Sequence, residues 1–215
     1  MMMLAAVAAL SVVLPMALRR KRDLARSARL GLGFFLAGNE LIWYWFRLHS
    51  EGLRFPEGMP LHLCDLVLWL TVFAVFTLKP LPFEVAYYGG LGGSGIALLT
   101  PDLWAPFPSY PTIYFFLSHG LVVVILASLA WGRVIWPRPG SLWRAFGLLN
   151  LYAFGVAGFN FWFGTNYMYL RSRPDGASLL DYFGPWPIYI LVADLFALGV
   201  FWLLWLPWGI SRTRG

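Results

Sequence analysis

Three residue types capable of chemistry crowd the start of one apolar run: His62, Cys64 and Asp65 in MPLHLCDLVLWL, residues 59–70. Cys64 is the single cysteine of the chain, so it has no intramolecular disulfide partner, and it is the strongest intrinsic nucleophile present. A thiol attacks as its thiolate, so an acyl-transfer role requires a nearby base, and His119 in FFLSHG is the candidate. His62 is not, because two residues on a helix are about 200° apart, whereas His62 and Asp65, three apart, share a face and are placed to brace one another. Glu40 or Asp194 is a candidate for orienting the imidazole, as the acid of a triad does, and Asn39 or Asn160 for donating to an oxyanion. Metal binding by His62, Cys64 and His119 finds no support in ligand spacing, and no cofactor motif is present.

The elements that must position these groups are membrane helices. Of 215 residues, 60% are hydrophobic and 12% charged, and the apolar residues fall in unbroken blocks, which predicts an all-α polytopic bundle rather than an amphipathic soluble fold. Crossing hydrocarbon about 30 Å thick takes about 20 residues, and seven such spans are predicted: 3–18, 30–48, 60–79, 84–100, 112–132, 143–165 and 186–207. The basic run RRKRD follows the first span instead of preceding it, so that span reads as a retained helix and not as a secretion signal. Connections between spans are about 20 residues or shorter, so residues 1–215 form one integral membrane domain.

The formal charge of +6 marks orientation rather than nucleic-acid binding. With the N-terminus outside and the C-terminus cytoplasmic, only Arg47, Arg54, Arg171 and Arg173 lie outside, and the other twelve of sixteen basic residues lie within. The segment YYGGLGGSGIALL matches a dinucleotide fingerprint in form only, since it lacks the preceding strand and the later acid. Gly89 and Gly93 read instead as a small-residue face for helix packing, or as a local break in the helix.

Ionisable and amide side chains inside hydrocarbon are costly unless they face the bundle interior, so each is a functional candidate. At about 1.5 Å per residue, Cys64 and Asn160 lie about one turn below the outer ends of their spans. Asn39, Glu40, His119 and Asp194 lie about two turns deep, and only Asn150 falls towards the inner half. This shared level predicts an outward-opening polar cavity closed below by apolar side chains. Two outer loops, 101–111 and 164–187, are rich enough in aromatic and polar residues to cover it.

MPLHLCDL, FFLSHG, GTNYMYLRSRP and SLLDYFGPWPIY together resemble the YwaF-like integral membrane proteins, bacterial relatives of eukaryotic transmembrane protein 164. The resemblance runs from about Asn39 to the last helix. It implies a lipid acyltransferase in which Cys64 matches the nucleophile and His119 the histidine. Asn166, Tyr167 and Asp181 lie in family-like blocks at the expected lip of the cavity. The implied partners are membrane lipids, and the implied location is a bacterial plasma membrane. The alternative reading is a proton-coupled transporter or lipid-binding protein in which Glu40, Asp194 and His119 serve the same cavity. A Schiff-base photoreceptor is disfavoured because the last span has no lysine.

Overall fold

The computed structural model describes residues 2–210 except Lys21, Glu51, Leu53, Asp102, Trp104 and Ala177, with the backbone alone for residues 2, 22–24 and 210. The described residues form eight α-helices and no strand. They are α1 (Met2–Arg20), α2 (Arg22–Ser50), α3 (Leu63–Thr77), α4 (Pro80–Gly89), α5 (Gly95–Leu99), α6 (Tyr110–Trp131), α7 (Ser141–Phe163) and α8 (Ile188–Ile210). Four of these, α1, α6, α7 and α8, are long and apolar enough to cross a membrane.

Three predicted spans take a different form. The span 30–48 lies in α2, whose Asn39, Glu40 and Arg47 keep it out of those four. The 15 residues of α3 extend only about 22 Å, because the helix starts at Leu63 and ends at Leu78, a left-handed residue at φ 53°. The span expected over 84–100 is composite: α4, a π-helical turn at Gly90–Ser94 and α5 follow one another from residue 80 to 99. Local sequence explains the boundaries. A proline opens the first turn of α4 and of α6, where its missing N–H costs nothing. Gly140 at φ 71° and Gly164 at φ 75° bracket α7 in the left-handed conformation that glycine adopts without steric penalty.

The composite segment is the axis of the bundle. Every residue from Phe83 to Gly89 is buried, with α3 and α7 against α4 and with α6, α3 and α8 against the π-turn. Its glycines permit that closeness: a Cβ on Gly89 would sit 2.8 Å from Val67 Cγ1, and one on Gly90 2.5 Å from Leu126 Cδ1. The local break expected from the glycines is present, whereas the close-packed face holds at Gly89 but not at Gly93, where a Cβ would make only an ordinary contact with Leu63 Cδ2 at 3.5 Å. Outside this axis, α1 packs along α6, where Val7 lies over Gly120.

The end of the bundle at which α4 begins is locked by polar contacts. Glu84 has no exposed surface, and each of its oxygens accepts from both Arg138 and Arg144 at 2.8–3.1 Å. The backbone N–H of Arg138 adds a further bond to Oε1 at 3.0 Å. Nearby, Tyr87 Oη donates to the Leu204 carbonyl and accepts from Trp208 Nε1, and Tyr88 Oη meets Ser141 Oγ at 2.9 Å.

At the other end the chain dips inward before α3. Tyr152 Oη donates to the Leu61 carbonyl at 3.0 Å, and Tyr152 lies eleven residues, about 17 Å, before the end of α7. Thus α3 starts well inside the bundle, and non-helical backbone before it runs at depth. Such backbone is tolerated where it lines a cavity.

Candidate functional site

A cavity of about 890 Å³ occupies the end of the bundle opposite Glu84. Leu68, Val122, Phe146, Leu149 and Phe201 close its floor, so the apolar base expected from sequence is present. Tyr167 to Leu170 and the turn at Leu179–Phe183 stand at its rim. His62, Cys64, Asp65, His119, Asn150 and Asp194 all line it, bringing together residues from α3, α6, α7, α8 and the segment before α3.

Cys64 is exposed, and because it lines the cavity its sulfur is reachable from there. It is the second residue of α3, with His62 at the N-cap. The predicted span begins at residue 60, about one turn before Cys64; in the structure the helix begins at Leu63, so Cys64 lies in its first turn. The helix start is fixed by Asp65, whose Oδ2 accepts the backbone N–H of His62 at 3.0 Å. Asp65 and His62 therefore do pair, but through the main chain. The His62 imidazole turns to the rim instead, where Nδ1 accepts the Met168 N–H at 3.4 Å and Tyr167 meets the ring edge-on.

His119 Nδ1 lies 2.8 Å from the Phe115 carbonyl. A carbonyl only accepts, so Nδ1 carries the proton and neutral His119 keeps its lone pair on Nε2. The orienting group is thus a backbone oxygen four residues earlier, not a carboxylate. Glu40 and Asp194, both expected as candidates for that task, are engaged elsewhere. Glu40 Oε2 accepts from Tyr114 Oη, and Asp194 Oδ1 accepts from Asn150 Nδ2 at 3.1 Å. Among the described residues no hydrogen bond joins Cys64 to His119; both line the cavity, from α3 and α6.

Counting residues from helix ends misjudged one depth. Asn150 and Asp194 were assigned to different levels, yet they are hydrogen-bonded, because α7 extends about 10 Å further beyond Asn150 than α8 does beyond Asp194.

Other candidates are bound into the framework. Asn39 and Glu40 are buried and do not line the cavity. Asn160 does not line it either: its Oδ1 accepts from Thr165 Oγ1 and the Tyr167 N–H, and its Nδ2 donates to the Tyr167 carbonyl. That amide shapes the rim and has no N–H directed at an oxyanion in the cavity. Asn166 accepts from the N–H groups of Arg171 and Ser172, and Asp181 caps the turn at Ser178 and pairs with Arg173 at 3.4 Å. Of the three expected lip residues only Tyr167 reaches the cavity, and its hydroxyl ties the rim to the dipping segment by donating to Pro56 O and accepting from Met59 N.

Tyr114, Arg47 and Glu57 also line the cavity, and none was singled out from sequence. Tyr114 did carry a signal, a hydroxyl inside an apolar block one turn before Ser118. Arg47 lies in the last turn of α2, at the outer edge of the predicted span 30–48, and Glu57 in a connection, and at both places charge is ordinary and gives no signal.

The TMEM164 family model matches residues 1–205. The chain belongs to the TMEM164 family. It is also 28% identical over 215 residues to an uncharacterized protein of Treponema pallidum (strain Nichols), a match covering 95% of this chain and 84% of that one. No solved structure matches.

Proposed function

We propose that this chain is a membrane-embedded acyltransferase or hydrolase of lipid acyl esters, with Cys64 as nucleophile and His119 as base, its cavity opening to the outside of a bacterial plasma membrane. The observation that carries the reading is the position of Cys64: an exposed thiol in the first turn of α3, inside a cavity whose other walls are largely apolar. Apolar walls suit an acyl chain, and esters of lipids lie just beneath the head groups.

In the first half-reaction His119 Nε2 takes the thiol proton and the sulfur attacks the ester carbonyl. The C–O bond breaks to release a lyso-lipid, leaving a thioester on Cys64. The acyl group then passes to an acceptor hydroxyl or to water. The start of α3 supplies the electrostatic help, since Cys64 lies in its first turn, at the positive end of the helix dipole.

The test is acyl turnover by purified protein in lipid vesicles, with thioester detection on Cys64 by mass spectrometry. Cys64→Ser and His119→Ala are expected to lose turnover while remaining folded and membrane-inserted. Normal turnover in both variants sinks the reading.

A further inference from the structure

Behind the cavity wall lies a carboxyl that the mechanism above leaves unused. Glu40 has no exposed surface; its Oε1 is buried without a hydrogen-bond partner, and its Oε2 is bound by the Tyr114 hydroxyl. Tyr44 and Arg47, on the same helix, also act on this carboxyl. Tyr114 stands between this carboxyl and the cavity that it lines. Its ring is held against Trp43, with centroids 4.2 Å apart and planes 8° apart, so the hydroxyl has a fixed position.

Tyr114 and the nucleophile Cys64 line the same cavity. An alkoxide leaving a lipid ester is a poor leaving group and needs a proton as the C–O bond breaks.

We propose that Tyr114 is the catalytic acid that protonates the departing lipid oxygen, and that Glu40, acting through Tyr114, is the positioning carboxyl that replaces its proton. The inference rests on the acyl-transfer reading and adds a second proton path to it. In acylation the S–C bond forms, the C–O bond breaks, and the thiol proton moves to His119. The leaving oxygen takes the Tyr114 proton, and the acid form of Glu40 restores the phenol. The intermediate then holds an imidazolium and a glutamate of opposite charge. In the second half-reaction the acceptor's proton returns through Tyr114 to Glu40, and the imidazolium returns its own to the sulfur, so the cycle closes.

The experiment measures single-turnover acylation of Cys64 in the full chain in lipid vesicles, using two acyl donors. One is a diacyl phospholipid, whose alkoxide needs a proton; the other is a p-nitrophenyl acyl ester, whose phenolate leaves without one. Tyr114→Phe and Glu40→Gln are each expected to slow acylation from the phospholipid about a hundredfold. Both are expected to lose at least about tenfold less with the p-nitrophenyl ester, so that the ratio of the two rates falls, and folding is checked separately by thermal unfolding of the detergent-solubilised variants. Equal losses on the two donors, or no loss on either, overturn the relay. If the parent chain acylates Cys64 from neither donor, the acyl-transfer reading falls and takes the relay with it. If Cys64→Ser alone abolishes both reactions while Tyr114→Phe changes neither, only the relay falls.

Discussion

Two glutamates with no exposed surface, Glu84 and Glu40, are treated in opposite ways by the two ends of this bundle. Glu84 accepts from Arg138 and Arg144 on both oxygens and from a backbone N–H, so its charge is matched and its acceptor sites are filled. Glu40 has one bond, to Tyr114, and one oxygen with none. Removing a partner from a buried charge is expensive, so a carboxylate needed only for architecture is surrounded as Glu84 is. A buried oxygen without a partner lowers stability, and such a group persists where it serves something besides stability. The arginine-bound end is framework, and the proposed chemistry lies at the cavity end.

The comparison can be broken by measuring stability at both ends. The largest effect is expected from the double variant Arg138→Ala/Arg144→Ala, which leaves Glu84 buried without a counter-ion. It should lose about 3–5 kcal/mol, read as unfolding of detergent-solubilised protein. A loss below about 1 kcal/mol would mean that water reaches Glu84 and that the end is not the rigid frame described here.

A second, smaller effect sharpens the border between framework and chemistry. Asn160→Ala removes three bonds beneath the rim and is expected to cost about 1–3 kcal/mol, with faster proteolysis within 164–171. If it abolished acylation without loss of stability, Asn160 would belong to the reacting groups after all.

Next comes Asp65→Ala, which removes the acceptor for the His62 N–H and is expected to cost about 1 kcal/mol. It should also reduce the rate at which Cys64 is alkylated by a small cavity-accessible reagent, because the first turn of α3, in which Cys64 lies, frays. An unchanged alkylation rate would detach the reactivity of Cys64 from the start of the helix.

The smallest effect on stability is expected from Glu40→Gln, within about 1 kcal/mol, since the amide keeps an acceptor for Tyr114. A loss as large as that of the arginine variant would place Glu40 among the framework residues and erase the contrast between the two ends.

Much of this was legible in the residues themselves. Unbroken apolar blocks announced an all-helical membrane fold because backbone polar groups in hydrocarbon must be satisfied within the segment. The scarcity of polar side chains in those blocks pointed to Cys64, His119, His62, Asp65 and Asp194, all of which line the cavity. Glu84 was passed over because it sat at the edge of a predicted span, where a charge looks interfacial, and its two arginines come from residues more than fifty positions away. Tyr114 was passed over because a tyrosine in an apolar helix is usually packing.

What the sequence by itself determined was composition along the chain: which segments enter lipid and which rare polar groups go with them, since hydropathy is a local property. Only the tertiary structure decided that α3 begins at Leu63, that the Phe115 carbonyl orients His119, and that Glu40 answers to Tyr114 while Asp194 answers to Asn150. Those pairings depend on helix register and on how far each helix extends past its neighbour. Register and stagger are set by packing at Gly89 and Gly90 and by bonds such as Tyr152 to Leu61, which join residues distant in the chain.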